Sequence, residues 1–397
     1  MTSHAQPIGG AIFTRPFRAL SVIFGLAGLL ILWRFAAGIG PVSGLSDGYP
    51  WGIWIAFDVV TGTALACGGY AVAILVYILN KGRYHPMVRP AILTSALGYT
   101  IAGLSLAVDV GRPWNFWKVP LFFWQWNLDS ILLEVALCVT TYIVVLWIEL
   151  SPAFLEPWRD SPVMPLRRAA RTVTPILDRA LLWFIALGML LPTMHQSSIG
   201  GLMMLTAGKV DPLWQTPVLP LLFLVSCVGM GYAAVVFESA LSATFFGRKP
   251  EKRMLASLSG AVIPVLLAYV VIRLGDIIIR GQLGRLFAFD GLSLLAIAEL
   301  LMFLVPALVL LARRGRMDAG SLFRTAIVMM LAGTLYRFDT FLVAYNPGPG
   351  WAYFPAVPEM VITFGLVALE IMAYLVIVKR FPILAGGEVT AAAGGVK

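Results

Sequence analysis

The sequence predicts an all-α integral membrane protein of about ten transmembrane helices in two bundles, with both termini in the cytoplasm. Of its 397 residues, 59% are hydrophobic and only 12% are charged, whereas soluble domains carry about 25% charged residues. The apolar residues fall into ten runs, each long enough for a bilayer at roughly 20 residues per helix. Basic residues are alternately abundant and scarce in successive loops, as membrane topology requires.

The apolar runs follow one another along the whole chain, so we predict a single polytopic membrane domain over residues 1–397. Residues 1–16 lack an apolar core followed by a small-residue cleavage site, so we expect no removable signal peptide. A proline-rich inner segment at 151–175 separates helices 1–5 from helices 6–10. The helices are predicted at about 17–37, 52–80, 88–110, 128–150, 176–200, 217–243, 254–279, 289–312, 321–343 and 358–379.

The lysine and arginine counts test each helix in turn, because one missing helix would scramble the alternation between loops. The termini and alternate loops hold nineteen of the 29 basic residues, the opposite loops hold five, and five lie inside predicted helices. The loops before helices 2, 4, 6, 8 and 10 therefore lie on the outer face, and the termini lie on the inner, cytoplasmic face. The net charge of +9 is explained by topology and does not indicate a nucleic-acid partner.

Histidine and cysteine limit the metal chemistry that the chain can support. The three cysteines stand alone in apolar runs, without CxxC spacing, so we predict no iron–sulfur cluster. His4 is in a polar tail and His85 in a basic turn, which leaves His195 at membrane depth. A b-type haem usually needs two axial ligands, commonly both histidine, although methionine can replace one. We therefore expect no haem and no metal site in this chain.

Aromatic residues are concentrated on the outer side. Nine of the twelve tryptophans are predicted at or near that face, several of them in the loop at 112–127. An interfacial belt places tryptophan at both faces of a membrane. The loop is therefore interpreted as a docking surface or as the mouth of an apolar cofactor site, with an unusually thick aromatic belt as the alternative.

Ionisable groups inside spanning helices indicate function by default, because each costs at least about 2.5–3.5 kcal/mol on insertion scales. Arg273 with Asp276, and Arg337 with Asp339, are close enough in sequence to be predicted as structural ion pairs. The other such groups are Asp58, Asp109, Asp129, Glu134 and His195 in the outer half of helices 2–5, Tyr99, Glu299 and Glu370 near mid-depth, and Glu238 near the inner face.

Glu134 and His195 are the hardest of these groups to explain structurally, since neither has a partner within one helical turn. A hydrogen bond between them is the structural alternative. Quinone reduction would use such groups, because the reduced ring needs hydrogen-bond donors and two protons. Ion-coupled transport is the alternative in another class; it predicts helices interrupted in mid-membrane, whereas the glycines at 200–201 and 348–350 are predicted in loops.

Five sequence motifs carry a resemblance to known proteins. They are GYPWGIWIAFDVVTGTALACGGY at 48–70, YILNKGRYHPMVRPAILTSALGY at 77–99, DVGRPW at 109–114, SILLEVALC at 130–138 and LPTMHQSSIGG at 191–201. These motifs resemble the NrfD/PsrC family of membrane subunits, in particular the branch that serves hydrogenase 2 type [NiFe] hydrogenases. The resemblance covers nearly the whole chain from helix 1 to helix 10.

The resemblance implies a bacterial cytoplasmic-membrane subunit that anchors a periplasmic ferredoxin-like iron–sulfur protein and the large and small subunits of a [NiFe] hydrogenase. Such a subunit does not react with hydrogen itself but passes electrons to menaquinone or ubiquinone, the substrate, near the periplasmic face. The family positions thought to move protons match Tyr99, Glu134, His195 and Glu238. A quinone pocket is assigned to Asp58, Asp109, Arg112, Trp114 and the aromatic loop.

Two alternatives remain open at this point. Within the family, the partner could be a molybdenum oxidoreductase of the polysulfide or tetrathionate type, with electrons flowing outward from quinol. Outside the family, a secondary transporter would also place charges inside helices. The identity of co-purifying subunits would distinguish all three.

Overall fold

A computed structural model describes residues 5–206, 208–248 and 252–384, so His4 lies outside the described residues. Within these ranges the chain is helical without β-strands, and ten helices are long and apolar enough to cross a membrane. The predicted number of helices is confirmed. They are α1 Arg15–Ala37, α2 Trp54–Ile78, α3 Gly82–Asp109, α4 Ile131–Trp158, α5 Met164–Met204, α6 Leu219–Phe245, α7 Lys252–Ile279, α8 Gly291–Leu311, α9 Ala319–Val343 and α10 Val357–Arg380.

Side-chain caps fix the start of several helices. Ser130 accepts a hydrogen bond from the backbone N–H of Leu133 before α4, and Asp290 accepts one from Ser293 before α8. Such caps satisfy N–H groups that have no partner within the helix. Asp290 also pairs with Arg285, and this hydrogen bond lowers the pKa of the Asp290 carboxyl to about 2.

Helices α4 and α5 extend further than the sequence predicted. α4 continues to Trp158 and α5 begins at Met164, so most of the predicted inner loop at 151–175 is helical despite its prolines. Gly200 and Gly201 also lie inside α5 rather than in a loop. Gly200 packs closely on the start of α6, where an added Cβ would lie 2.7 Å from the carbonyl oxygen of Leu219.

The helices form two bundles, which meet where α2 and α5 pack on α6. Helices α2–α5 pack together on one side, and helices α6–α9 form a second bundle. The prediction of two bundles is confirmed, but the first and last helices differ from the expected division. α1 packs along α10, and α10 packs on α3, so the last helix belongs with the first half of the chain.

Helix α2 is the least regular of the ten. It contains π-helical segments at Trp54–Thr61 and Ile74–Ile78 and a turn around Ala66 and Cys67. Helix α9 ends in a further π-helical turn, Asp339–Val343. π-turns insert an extra residue, turn the following side chains to new directions and are frequent at functional sites.

The predicted ion pair between Arg273 and Asp276 is wrong. Arg273 of α7 instead pairs with Glu299 of α8 at 3.2 Å, and both side chains are almost fully buried. The carboxylate of Glu299 also accepts hydrogen bonds from Tyr269 at 2.6 Å and from Trp214 at 3.0 Å. Asp276 pairs with Arg280 one helical turn later. The charge of Arg273 is therefore compensated across two helices of the second bundle.

Removing one partner of this buried pair leaves the other charge uncompensated. We expect Glu299→Ala to destabilise the protein by about 3–5 kcal/mol, because Arg273 keeps its charge in an apolar site. Thermal unfolding of the detergent-solubilised protein measures the effect. The double variant Arg273→Met with Glu299→Leu is expected to unfold nearer the wild-type temperature. A single variant as stable as the wild type would contradict this account of the pair.

Candidate functional site

Tyr99 and His195 meet in the middle of the first bundle. The hydroxyl of Tyr99 on α3 lies 2.8 Å from Nε2 of His195 on α5, and neither residue is exposed to solvent. The other ring nitrogen of His195, Nδ1, lies 2.8 Å from the carbonyl oxygen of Leu191. A carbonyl can only accept, so Nδ1 carries a hydrogen and Nε2 of the neutral ring accepts from Tyr99.

Gln196 supports the same arrangement of hydrogens. Its Oε1 accepts a hydrogen bond from Arg337 at 3.2 Å, which turns its Nε2 toward Thr63 at 3.0 Å and toward His195 at 3.2 Å. Two donors, the Tyr99 hydroxyl and the Gln196 amide, therefore point at Nε2 of His195. The site can pass a proton from the Tyr99 oxygen to the imidazole without moving the backbone.

Arg337 is fully buried, and the described residues give its guanidinium no carboxylate partner. The predicted pair with Asp339 is wrong: the two residues are two positions apart, so they project from different sides of α9. Both carboxylate oxygens of Asp339 are buried without a hydrogen-bond partner in the described part of the chain. The acceptors of Arg337 are the carbonyl oxygens of Val60, Phe223 and Gly333, Ser226, Gln196 and the Met230 sulfur.

Two further side chains enclose the Tyr99–His195 pair. The sulfur of Cys67, at the turn in α2, lies 3.4 Å from the Tyr99 hydroxyl. The ring of Tyr142 on α4 packs edge-on against the ring of Tyr99, with centroids 4.6 Å apart. The pair is thus surrounded by side chains from all four helices of the first bundle.

Asp58 lies in the predicted outer half of the protein at the wall of an apolar cavity of about 700 Å³. The side chain of Asp58 is 4% exposed, and its Oδ2 accepts hydrogen bonds from Ser105 at 2.8 Å and Thr363 at 3.1 Å. The cavity lies among α1, α2, α3, α6 and α10, with one lining residue from α9. Its lining includes Ile23 and Phe245, which are 39% and 72% exposed, so it reaches the lipid-facing surface.

Two other carboxyl groups line the same cavity. Glu238 of α6 accepts a hydrogen bond from the hydroxyl of Tyr374 on α10. Glu370, also on α10, lies against Gly98 of α3, where an added Cβ would lie 3.4 Å from its Oε1. Three carboxyl groups therefore share one apolar cavity, from Asp58 in the predicted outer half to Glu238 near the inner face.

The remaining residues of the predicted quinone pocket lie away from this cavity. Asp109 is at the end of α3, and its Oδ1 is buried without a partner among the described residues. Arg34 of α1 donates to the carbonyl oxygens of Val108 and Val110, which closes that helix end. Arg112 and Trp114 are exposed in the following loop. The structure therefore brings only Asp58 of the four predicted residues to the cavity.

Glu134 is separate from the Tyr99–His195 pair. It lies in the first turn of α4, is half-buried, and its carboxylate makes no hydrogen bond to a residue that the structure describes. His195 bonds to Tyr99, Leu191 and Gln196, so the structural alternative, a hydrogen bond between Glu134 and His195, is not formed.

Gln196 and Arg337 are the residues of this site that sequence reasoning missed. Gln196 directly follows His195, but a neutral amide carries no insertion cost large enough to single it out. Arg337 was assigned to a local ion pair because Asp339 is near in sequence. Counting helical positions would have excluded that pair, since residues two apart do not face each other.

Comparison with known proteins places the chain among membrane subunits of redox complexes. The family described as polysulphide reductase NrfD matches residues 41–312. A relative named "Probable Ni/Fe-hydrogenase 2 b-type cytochrome subunit" of Escherichia coli (strain K12) is 42% identical, over 97% of this chain and 96% of its own. The "Menaquinone reductase, integral membrane subunit" of Nitratidesulfovibrio vulgaris is 31% identical, over 64% of this chain and 60% of its own.

These names correct the cofactor prediction. The prediction that the chain holds no haem is contradicted, because the Escherichia coli relative is named a b-type cytochrome subunit, which implies haem. The arrangement around His195 does not fit an axial ligand, since both its ring nitrogens are engaged by protein groups. His85 is exposed in the turn that begins α3.

Proposed function

The chain belongs to the polysulphide reductase NrfD family, and from this premise we propose that it transfers electrons between partner subunits and a quinone. It is a membrane subunit of the kind found in hydrogenase and reductase complexes. The proposed location is the bacterial cytoplasmic membrane, with the outer face toward the periplasm.

The proposed partner is a [NiFe] hydrogenase with an iron–sulfur protein, docked on the outer aromatic loop. The name of the relative that is 42% identical over nearly the whole chain supports this choice. Electrons would then flow from the partner to the quinone, and this chain would not react with hydrogen. The second candidate is a quinol-oxidising subunit of a reductase. It is favoured by a 26% identity over 129 residues to a protein of Mesobacillus selenatarsenatis that is named as a subunit of selenate reductase.

The observation that carries the proposal is the apolar cavity that reaches Asp58 from the lipid-facing surface. A volume of about 700 Å³ lies within the roughly 300–1,000 Å³ typical of sites for small ligands. A quinone dissolved in the bilayer can enter an apolar opening of this kind without crossing water. Its ring would lie beside the buried, hydrogen-bonded carboxyl of Asp58, in the half of the protein nearest the proposed partner.

Reduction of the quinone consumes two electrons and two protons and yields a quinol. The electrons come from the partner's iron–sulfur protein, and the protons must come through side chains. We assign this proton transfer to His195 and Tyr99, whose imidazole Nε2 and hydroxyl oxygen lie 2.8 Å apart. Glu238, near the inner face of the membrane, and Glu134, near the outer face, are the other ionisable groups of the proposed route. Asp58 lies on α2, and α2 contacts α5, the helix that carries His195, which supports their acting on one reaction.

The quinone position is tested with Asp58→Asn in the purified complex. We expect quinone reduction to fall at least tenfold, because an amide keeps the hydrogen bonds but cannot exchange a proton. Reduction of an artificial dye by the partner subunits should stay unchanged. Asp47→Asn, the same change at an exposed outer residue, is the matched control. Quinone reduction at the wild-type rate by Asp58→Asn would contradict the assignment.

A further inference from the structure

A second cavity of about 840 Å³ enters the first bundle from the inner side and shares no lining residue with the cavity beside Asp58. Its mouth is lined by Arg83 and His85, in the turn that begins α3, and by the ion pair of Arg89 with Glu156. This turn lies on the predicted cytoplasmic side. The mouth of the cavity is therefore polar and faces the inner solution.

The deep end of this cavity reaches the neighbourhood of the Tyr99–His195 pair. It is lined by Tyr70 and Tyr142. The ring of Tyr142 is 4.6 Å from that of Tyr99, between centroids, and the Tyr70 hydroxyl lies 2.8 Å from the hydroxyl of Thr193 on α5, two residues before His195. The ring of Tyr142 thus lines the cavity and also contacts the buried pair.

Glu149 of α4 lines this cavity between its mouth and its deep end. Its Oε1 is buried and has no hydrogen-bond partner among the described residues. Glu149 is seven residues after Tyr142, so the two lie on the same face of α4, about 10 Å apart along the axis. Gly188 of α5 makes room for the carboxyl, because an added Cβ there would lie 2.5 Å from Oε1.

We propose that this cavity is the inner entrance of the proton route and that Glu149 carries protons from it toward Tyr142 and the Tyr99–His195 pair. The inference rests on the proposed quinone reduction. Each turnover takes two electrons from the partner's iron–sulfur protein and two protons from the inner solution, and it releases quinol into the bilayer. A buried carboxyl without a partner, at the wall of a cavity, can accept a proton from water and release it farther in.

Reconstituted vesicles allow proton uptake at the inner face and quinone reduction to be measured separately. The whole complex is placed in liposomes that contain a quinone in the lipid and the pH dye pyranine in the lumen. A membrane-impermeant electron donor added outside drives only those complexes whose partner subunits face outward. In these complexes the inner face opens to the lumen. For the wild type we expect quinone reduction together with alkalinisation of the lumen.

Glu149→Gln is expected to reduce both quinone reduction and lumen alkalinisation at least tenfold, while dye reduction by the partner subunits stays unchanged. Gly188→Ala, which displaces the carboxyl without removing it, should also lower the alkalinisation. Asp160→Asn, the same loss of a carboxylate at an exposed residue just after α4 that does not line the cavity, is the matched control and should behave as wild type.

Two results would overturn the inference, and they differ in what they say about the proposed function. Wild-type alkalinisation by Glu149→Gln would refute the entrance and leave quinone reduction intact. A wild-type complex that reduces no quinone would refute the proposed function, and the entrance with it.

Discussion

Replacing His195 with glutamine is expected to lower quinone reduction about 10²–10⁴-fold, the range by which a positioned acid or base typically accelerates a reaction. The amide of glutamine can still accept a hydrogen bond from Tyr99, which lies 2.8 Å from the imidazole. It cannot take up and release a proton near neutral pH. The variant should therefore fold and bind its partners but lose the transfer step.

The measurement compares the rates of quinone reduction and of dye reduction in the same purified complex. Thr193→Val is the control, because it removes the neighbouring hydrogen bond to Tyr70 on the same helix without removing a titratable group. It should keep quinone reduction within a few-fold of the wild type. If His195→Gln also kept that rate, His195 would have no part in proton transfer and the buried pair would be structural.

Removing three tryptophans from the outer loop is expected to release the partner subunits. Trp114, Trp117 and Trp124 are 61%, 53% and 65% exposed, and they stand close together in sequence on the predicted periplasmic side. Tryptophan is the residue most enriched among binding hot spots, where one truncation costs about 2 kcal/mol or more, roughly thirtyfold in affinity. We expect the triple alanine variant to bind its partners at least 10²-fold more weakly.

Retention of the partner subunits on the affinity-tagged membrane subunit measures this effect. Trp183→Ala is the control, because Trp183 is 74% exposed on α5, away from the loop, where lipid covers it in the membrane. Its removal should leave the complex intact. Full retention by the triple variant would show that the outer loop is an aromatic belt in the interface rather than a docking surface.

The number of helices could be predicted from the sequence because a spanning helix is a long apolar run. This signal does not depend on how the helix packs against its neighbours. The extents of α4 and α5 could not be predicted. Proline at 152, 157 and 175 normally ends or bends a helix. Here both helices continue through these positions. At the end of α4, Ala153 is buried in a cluster with Val378 of α10, a contact between helices that are far apart in sequence.

The pairing of buried charges was beyond sequence reasoning for a related reason. The partner of Arg273 is Glu299, on the next helix, and distance along the chain does not measure distance across a bundle. Tyr99 and His195 were each predicted to take part in proton transfer, but the contact between them depends on the packing of α3 and α5. The separation of Asp58 from Arg112 and Trp114 also follows from packing, because the loop after α3 turns away from the cavity.

The prediction of no haem failed because it counted ligands and took the scarcity of histidine as decisive. The name of the Escherichia coli relative contradicts that inference. The arrangement of His195 still limits what this residue does, since Leu191 and Tyr99 occupy its two nitrogens. The number of candidate ligands in a chain limits the cofactors that it can bind only when the cofactor takes all of its ligands from that chain.

The packing of α1 on α10 determines when this protein can finish assembling. During synthesis at about 5–20 residues per second, the interval between Arg15 and Val357 lasts roughly 17–70 s. Through that time α1 is in the membrane without the helix that covers it. The face of α1 that α10 later covers includes Ala27, a small apolar residue that is compatible with lipid. Translation of the last helix is thus the event that closes the bundle.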